Sequence, residues 1–183
     1  DTAMSLNNIA TTYVYLAQHE KALELHFRAL KIREKVFSSD HPDIALSLNN
    51  LGDIYSRLGQ YEKALSQHRL ALEIRKKAFG LDHPYTAGSL NNLGNTYSNL
   101  GQYDKALELQ RQVLTINEKV LGKDHTQTAL SLNNLAQTYS DLAQYDKAVP
   151  LQLRALAIYE KVLGPDHPST ATNLSNLAAT YVD

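Results

Sequence analysis

An all-α array of antiparallel helix pairs is the fold class this sequence predicts, on three observations. The first is a repeat: Ser47-Leu48-Asn49-Asn50-Leu51 returns at Ser89 to Leu93 and Ser131 to Leu135, with close variants opening at Ser5 and Asn173. The starts at 5, 47, 89, 131 and 173 are each 42 residues apart, a period that marks stacked copies of one supersecondary unit. The second is helical spacing of apolar residues in two segments of every unit. The third is a glycine or proline between those segments, where helices end and begin. Four full repeats are expected over 5–46, 47–88, 89–130 and 131–172, with a half repeat over 173–183, forming one continuous domain over 1–183.

The second repeat shows the elements in order. Leu48, Leu51, Gly52 and Tyr55 fall at i, i+3, i+4 and i+7 and share one stripe of a first helix. Pro42 suits its first position, Asp40 or His41 can cap its free amides, and Gly59 can end it in the left-handed conformation. A second helix follows from Tyr61 to about Phe79, with Tyr61, Ala64, Leu65, Ala71, Leu72 and Ile74 in register and Gly80 behind it. The single linking residue, Gln60, forces the two helices antiparallel.

Small residues recur where these helices approach closely. Gly52 and Gly94 share a position with Ala10, Ala136 and Ala178, and Ala22, Ala64, Ala106 and Ala148 share another early in the second helix. Larger side chains there would overpack the contacts. Three departures from the period stand out. Ser38-Ser39 replaces a glycine and Thr126 replaces a proline, weakening two caps, and Pro150 is expected near the start of its helix, where it does little harm.

Composition narrows the function classes. Lys plus Arg number 18 against 19 Asp plus Glu, which gives no general attraction to nucleic acid or to an anionic membrane. The run Arg75-Lys76-Lys77 closes a helix, where cations favour the dipole. There is no cysteine, so thiolate chemistry and disulfides are excluded and a reducing, cytoplasmic setting is the expectation. Apolar runs are far short of the ~20 residues that span a bilayer, and the triplet Asn173-Leu174-Ser175 falls inside a helix.

His41, His83, His125 and His167 each follow an aspartate but recur once per repeat, too far apart to share a metal, and read as caps. His19, His26 and His68 lack ligand spacing, and no nucleophile elbow, phosphate loop or dinucleotide fingerprint is present. No enzyme activity, metal or cofactor is expected.

A small residue four after a leucine, a tyrosine three later, then Gly-x-Tyr-x-x-Ala resembles the tetratricopeptide repeat. The 42-residue unit and the Glu160 to Pro168 stretch, Glu-Lys-Val-Leu-Gly-x-Asp-His-Pro, resemble its kinesin light chain subclass. That resemblance covers essentially the whole chain. It implies a right-handed superhelical solenoid and a non-catalytic scaffold that binds a peptide segment of a protein partner in a concave groove, in the manner of a cargo adaptor. Both ends of the chain cut through a repeat, as in a piece excised from a longer protein. Self-association through those ends, or regulation of a larger signalling protein, are the alternative readings.

In the resembled fold the groove is lined by the face of the first helix turned from its partner, about 80–200° from Leu48. That face carries Asn8 in the first repeat and Asn49, Asn50, Asp53 and Arg57 in the second. In the third and fourth it carries Asn91, Asn92, Asn95 and Asn99, then Asn133, Asn134 and Gln137. Paired asparagines in mid-helix ask for a reason, because their side chains compete for backbone hydrogen bonds. Carboxamides that grip a peptide backbone are one reason, and a ladder of bonds between adjacent repeats is the other. The second asparagine of each pair, Asn8, Asn50, Asn92, Asn134 and Asn176, is the leading peptide contact. Grooves of the subclass that take acidic cargo carry basic residues, whereas here Arg57 is the only cation among the positions named and Asp53 and Asp141 offset its charge, so neutral or mixed peptides are expected.

Overall fold

The computed structural model describes residues 2–182, and these form helices joined by short turns, with no strand among them. In order they are α1 (Thr2–Tyr15), α2 (His19–Val36), α3 (Pro42–Arg57), α4 (Tyr61–Phe79), α5 (Pro84–Asn99), α6 (Tyr103–Val120), α7 (Thr126–Asp141), α8 (Tyr145–Leu163) and α9 (Pro168–Val182). The chain divides into two compact units, Asp1–Leu100 with α1 to α5 and Gly101–Asp183 with α6 to α9.

Helix starts follow from the loop chemistry. The Nδ1 of His41 accepts the Asp43 amide at 3.2 Å, and those of His83, His125 and His167 accept the amide two residues on at 3.1 Å. The histidine is therefore the cap in every loop, and α7 keeps it although Thr126 stands where proline does elsewhere. A threonine locks the same corner: Thr86, Thr128 and Thr170 donate to the carbonyls of Gly80, Gly122 and Gly164 at 2.7–2.8 Å.

Tight turns within the pairs need a left-handed residue. Gly59 and Gly101 supply it with φ of 70°, and Ala17 and Ala143 hold the same place at 54° and 53°, a conformation that costs an alanine about 1 kcal/mol. Pro150 departs from expectation. It is the sixth residue of α8, inside the helix rather than at its first turn, so the bond its missing N–H would make to Asp146 is given up.

In the unit Asp1–Leu100, Leu30, Ile44, Ala45, Leu48, Leu51 and Ala71 join α2, α3 and α4 in one apolar cluster, and Ala10, Ala22 and Ile54 form a second. In the other unit, Leu107, Leu135, Ala136, Tyr139 and Ala148 cluster, and Ala129, Leu132, Ala155, Ile158 and Tyr159 form a neighbouring layer. Ala22, Ala64, Ala106 and Ala148 are all fully buried, as the close-approach reading requires.

Gly52 meets the tightest constraint. A Cβ built on it would lie 2.4–2.7 Å from three atoms of the His68 ring, which is 1% exposed. Alanine normally gains up to about 1 kcal/mol over glycine inside a helix, but here the ring is tethered and the clash dominates. Gly52→Ala is expected to lose about 1–3 kcal/mol net, read as an earlier urea midpoint by circular dichroism; a later midpoint would show that the ring can move aside.

Candidate functional site

The two asparagines of each pair are roughly 100° apart around the helix, and the structure gives them different surroundings. The first faces inward in the first two repeats. Asn49 is 4% exposed, and its amide nitrogen donates to Ser89 Oγ on α5 at 3.0 Å while its Oδ1 meets His68 Nδ1 on α4 at 3.2 Å. Asn7 is buried against His26 Nδ1 at 2.9 Å. Asn133 is half-buried, accepts from Asn173 on α9 at 2.5 Å and is hydrogen bonded to Tyr159. Asn91 is also half-buried. Asn49, expected in the groove, belongs instead to the ladder between repeats, because its amide is consumed by two buried partners.

The second asparagine is more accessible than the first in the first two repeats, and the two are alike in the third and fourth. Asn8 and Asn176 are exposed, while Asn50, Asn92 and Asn134 are half-buried. In the unit Asp1–Leu100, α3 and α5 enclose a cleft of about 320 Å³ lined by Asp53, Ser56, Arg57, His68, Asn92, Asn95, Thr96 and Asn99. Here Asn92 donates to Asp53 Oδ1 at 3.1 Å. In the other unit a cleft of about 380 Å³ is lined by Asn133, Asn134 and Gln137 of α7, Tyr159 of α8, and Thr172 and Asn176 of α9, with Leu130 at its edge. Its lining carries no charged side chain, and Gln137 donates to Asp141 at 2.8 Å.

Electrostatics distinguish the first cleft. Burial lowers the pKa of His68 from 6.5 to about 4, so this imidazole is neutral at physiological pH. Asp53 is raised from 3.8 to about 6, chiefly by desolvation, with Arg57 and Arg75 opposing. Half of its side chain still meets water, yet the walls of the cleft remove enough solvent from the carboxylate to disfavour its charge.

Arg33 and Asn117, which carried no expectation, and Arg75, read as one of a run of helix-end cations, turn out to join the repeats. Arg33, 6% exposed, donates to the Asp43 carbonyl at 3.0 Å and to Ser47 Oγ at 2.7 Å. One period on, Arg75 does the same to the Tyr85 carbonyl and Ser89 Oγ at 2.8 and 3.0 Å, and Asn117 to the Gln127 carbonyl and Ser131 Oγ at 3.5 and 2.7 Å. The available signal was a polar residue recurring at the same register of the second helix. His26, His68, Gln110 and Gln152, all at most 3% exposed, mark another such register.

The model of the family described as tetratricopeptide repeat matches residues 1–77, 60–118, 85–161 and 141–183, which together run the length of the chain. The chain belongs to the tetratricopeptide repeat family. Among solved structures, a kinesin light chain candidate from Podosopora anserina with nearly identical TPR-like repeats is 30% identical over 97% of this chain and 84% of that one, with a TM-score of 0.81, and a second, singly substituted form of it superposes at 0.82. BtubC (BKLC) from P. vanneervenii is 25% identical over 96% of this chain and 70% of that one, at 0.82. No curated protein matches. These tetratricopeptide repeats are therefore of the kinesin light chain-like kind, a protein-interaction scaffold of a family whose members are typically non-catalytic. Among the described residues no helix is long and apolar enough to cross a membrane.

Proposed function

We propose that the clefts over α3/α5 and α7/α9 bind an extended segment of a protein partner, gripping its backbone through the second asparagine of each pair. The observation that carries this reading is the split within the pairs. Asn49 is spent on Ser89 and His68 inside the ladder, whereas the second asparagines Asn92 and Asn134 line the two clefts, and Asn50 is half-buried at the same register. A carboxamide offers two donors and an acceptor in a plane, matching a peptide unit without selecting a side chain. Within the unit Asp1–Leu100 the Asn49–Ser89 bond also supports the role mechanically, since it fixes the spacing of α3 and α5.

Kinesin light chain-like cargo binding is the family role nearest to this reading, with the difference that Arg57 shares the first cleft with Asp53 and the second has no charged lining, so neither offers the net positive surface an acidic peptide needs. The partner segment is accordingly neutral or of mixed charge, and the setting cytoplasmic.

Pull-down from a cell extract with the chain and with its Asn50→Ala/Asn92→Ala/Asn134→Ala variant tests the proposal. Specific partners should be lost at unchanged helicity. For a partner peptide so identified, Asn92→Ala alone should weaken binding about fivefold, one hydrogen bond's worth, while stability moves by less than about 0.5 kcal/mol. Equal losses of binding and stability would assign these asparagines to repeat stacking instead.

A further inference from the structure

The cleft between α3 and α5 contains an arrangement that peptide-backbone binding does not use. With the Asn49 amide nitrogen on Ser89 Oγ and its Oδ1 on His68, His68 Nδ1 is the protonated nitrogen of the ring. The other nitrogen, Nε2, then carries a lone pair. It faces Asp53 Oδ1 across 3.7 Å, beyond hydrogen-bond distance, and both atoms are acceptors. A side chain that is 1% exposed thus turns an acceptor toward a carboxylate at the wall of an open cleft. Asp53 Oδ1 already accepts from Asn92 at 3.1 Å, but His68 Nε2 calls for a donor of its own and the carboxylate calls for positive charge.

The cations already facing Asp53 do not supply it. Arg75 on α4 is engaged with the Tyr85 carbonyl and Ser89 Oγ, Arg57 stands one turn further along α3, and α5 contributes only the neutral Asn92, Asn95 and Thr96. With both arginines acting, Asp53 is still harder to ionise than an ordinary aspartate. Water can donate to both acceptors but leaves the charge uncompensated. A metal ion would find too few ligands, since the described residues hold no group of three or more His, Cys, Asp or Glu suited to one.

We propose that this cleft seats a lysine or arginine side chain of the bound segment, its cation held between the Asp53 carboxylate and His68 Nε2. Asp53 is the counter-ion and His68 the directional acceptor, while Asn49, which fixes the ring's tautomer, is a positioning residue. Among the equivalents, Thr11, Asn95 and Gln137 replace Asp53 in the other full repeats, so the basic side chain is read at one register only. Binding should weaken below about pH 6, as Asp53 takes up a proton while His68 stays neutral, with Arg57 and Arg75 the cations beside it.

This inference rests on the peptide-binding reading, and two measurements separate their fates. In the first, the imidazole ¹⁵N resonances of the whole chain are followed at pH 7 as N-acetyl-lysine methylamide or N-acetyl-arginine methylamide is added, with N-acetyl-glutamine methylamide as the neutral control. His68 Nε2 should shift saturably with the cationic probes alone, and Asp53→Asn should lower the apparent affinity about tenfold at unchanged helicity. No shift at millimolar probe, an equal shift with the neutral probe, or a response to zinc ions in place of the organic cations would each overturn the site. In the second, displayed random decapeptides are selected on the chain and on Asp53→Asn. Enrichment of lysine or arginine at one position, lost in the variant, supports the inference. Selected peptides with no basic position overturn it and leave the backbone-binding reading standing, whereas failure to select any peptide beside a clear His68 shift overturns the backbone-binding reading.

Discussion

Acidification from pH 6.5 to about 4 is expected to remove several kcal/mol from the stability of the unit Asp1–Leu100. Two buried imidazoles cause this. His26 and His68 are 3% and 1% exposed, and burial lowers each pKa from 6.5 to about 4, with Arg33 adding to the effect at His26. Between those values the unfolded chain holds more protons than the folded one, so stability rises with pH through the window and is lost as pH falls through it. Each histidine is worth on the order of 3 kcal/mol.

Asp53 works in the opposite sense. Its pKa is raised from 3.8 to about 6, so the folded state favours its protonated form and stability falls as pH rises between those values. Its side chain is 52% exposed, and screening by water makes its share smaller than that of either histidine. The net is acid destabilisation, read from urea unfolding followed by circular dichroism at pH 6.5 and 4.5. The chain contains its own control: Gln110 and Gln152 occupy the same register in the later repeats at 2% exposure. A His26→Gln/His68→Gln variant should flatten the acid dependence, and an undiminished loss in that variant would place its origin elsewhere.

Leu51→Ala is the substitution expected to cost most, about 2–5 kcal/mol. Leu51 is fully buried in the cluster built from α2, α3 and α4, so truncation removes its transfer free energy and leaves a void walled by Leu30, Ile44 and Leu48. Leu46, five residues earlier on the same helix, is 40% exposed, and Leu46→Ala should change stability by less than about 0.5 kcal/mol. Denaturant unfolding of the two variants side by side checks the contrast. Similar losses for both would mean that the exposed leucine is packed in a way its exposure does not show.

Helix positions were legible because period, proline and glycine all point to the same boundaries. Pro42 opens α3 and Tyr61–Phe79 is α4. Pro150 was misplaced because its neighbours keep perfect period, and the rest of α8 tolerates one missing bond. The candidate site was legible only to within a helix face. Periodicity separates the apolar stripe from everything else, but α3 touches both its own partner α4 and α5 of the next repeat. Asn49 and Asn50 therefore look alike in the sequence, although one is buried against Ser89 and His68 and the other stays half-buried. What distinguishes them lies 19 and 40 residues away along the chain, and a local reading does not reach that far. The Asp53–His68 gap was invisible for a further reason: it depends on which ring nitrogen holds the proton, and only the neighbouring amide fixes that.

The bonds that join repeats have a consequence for how such an array changes length. Arg33 reaches 10 and 14 residues ahead, Asn7 and His26 are 19 apart, Arg69 and Tyr97 are 28 apart, and Asn49 and Ser89 are 40 apart. Each of these spans is shorter than one 42-residue period. In-frame loss or duplication of a whole period therefore brings equivalent partners back together at the new junction, whatever the cut point within the repeat. A gene coding for this array can gain or lose units by unequal recombination while every surviving unit keeps neighbours it can bond. Specificity set by a single unit, such as the Asp53 register, can be added, moved or deleted as a module.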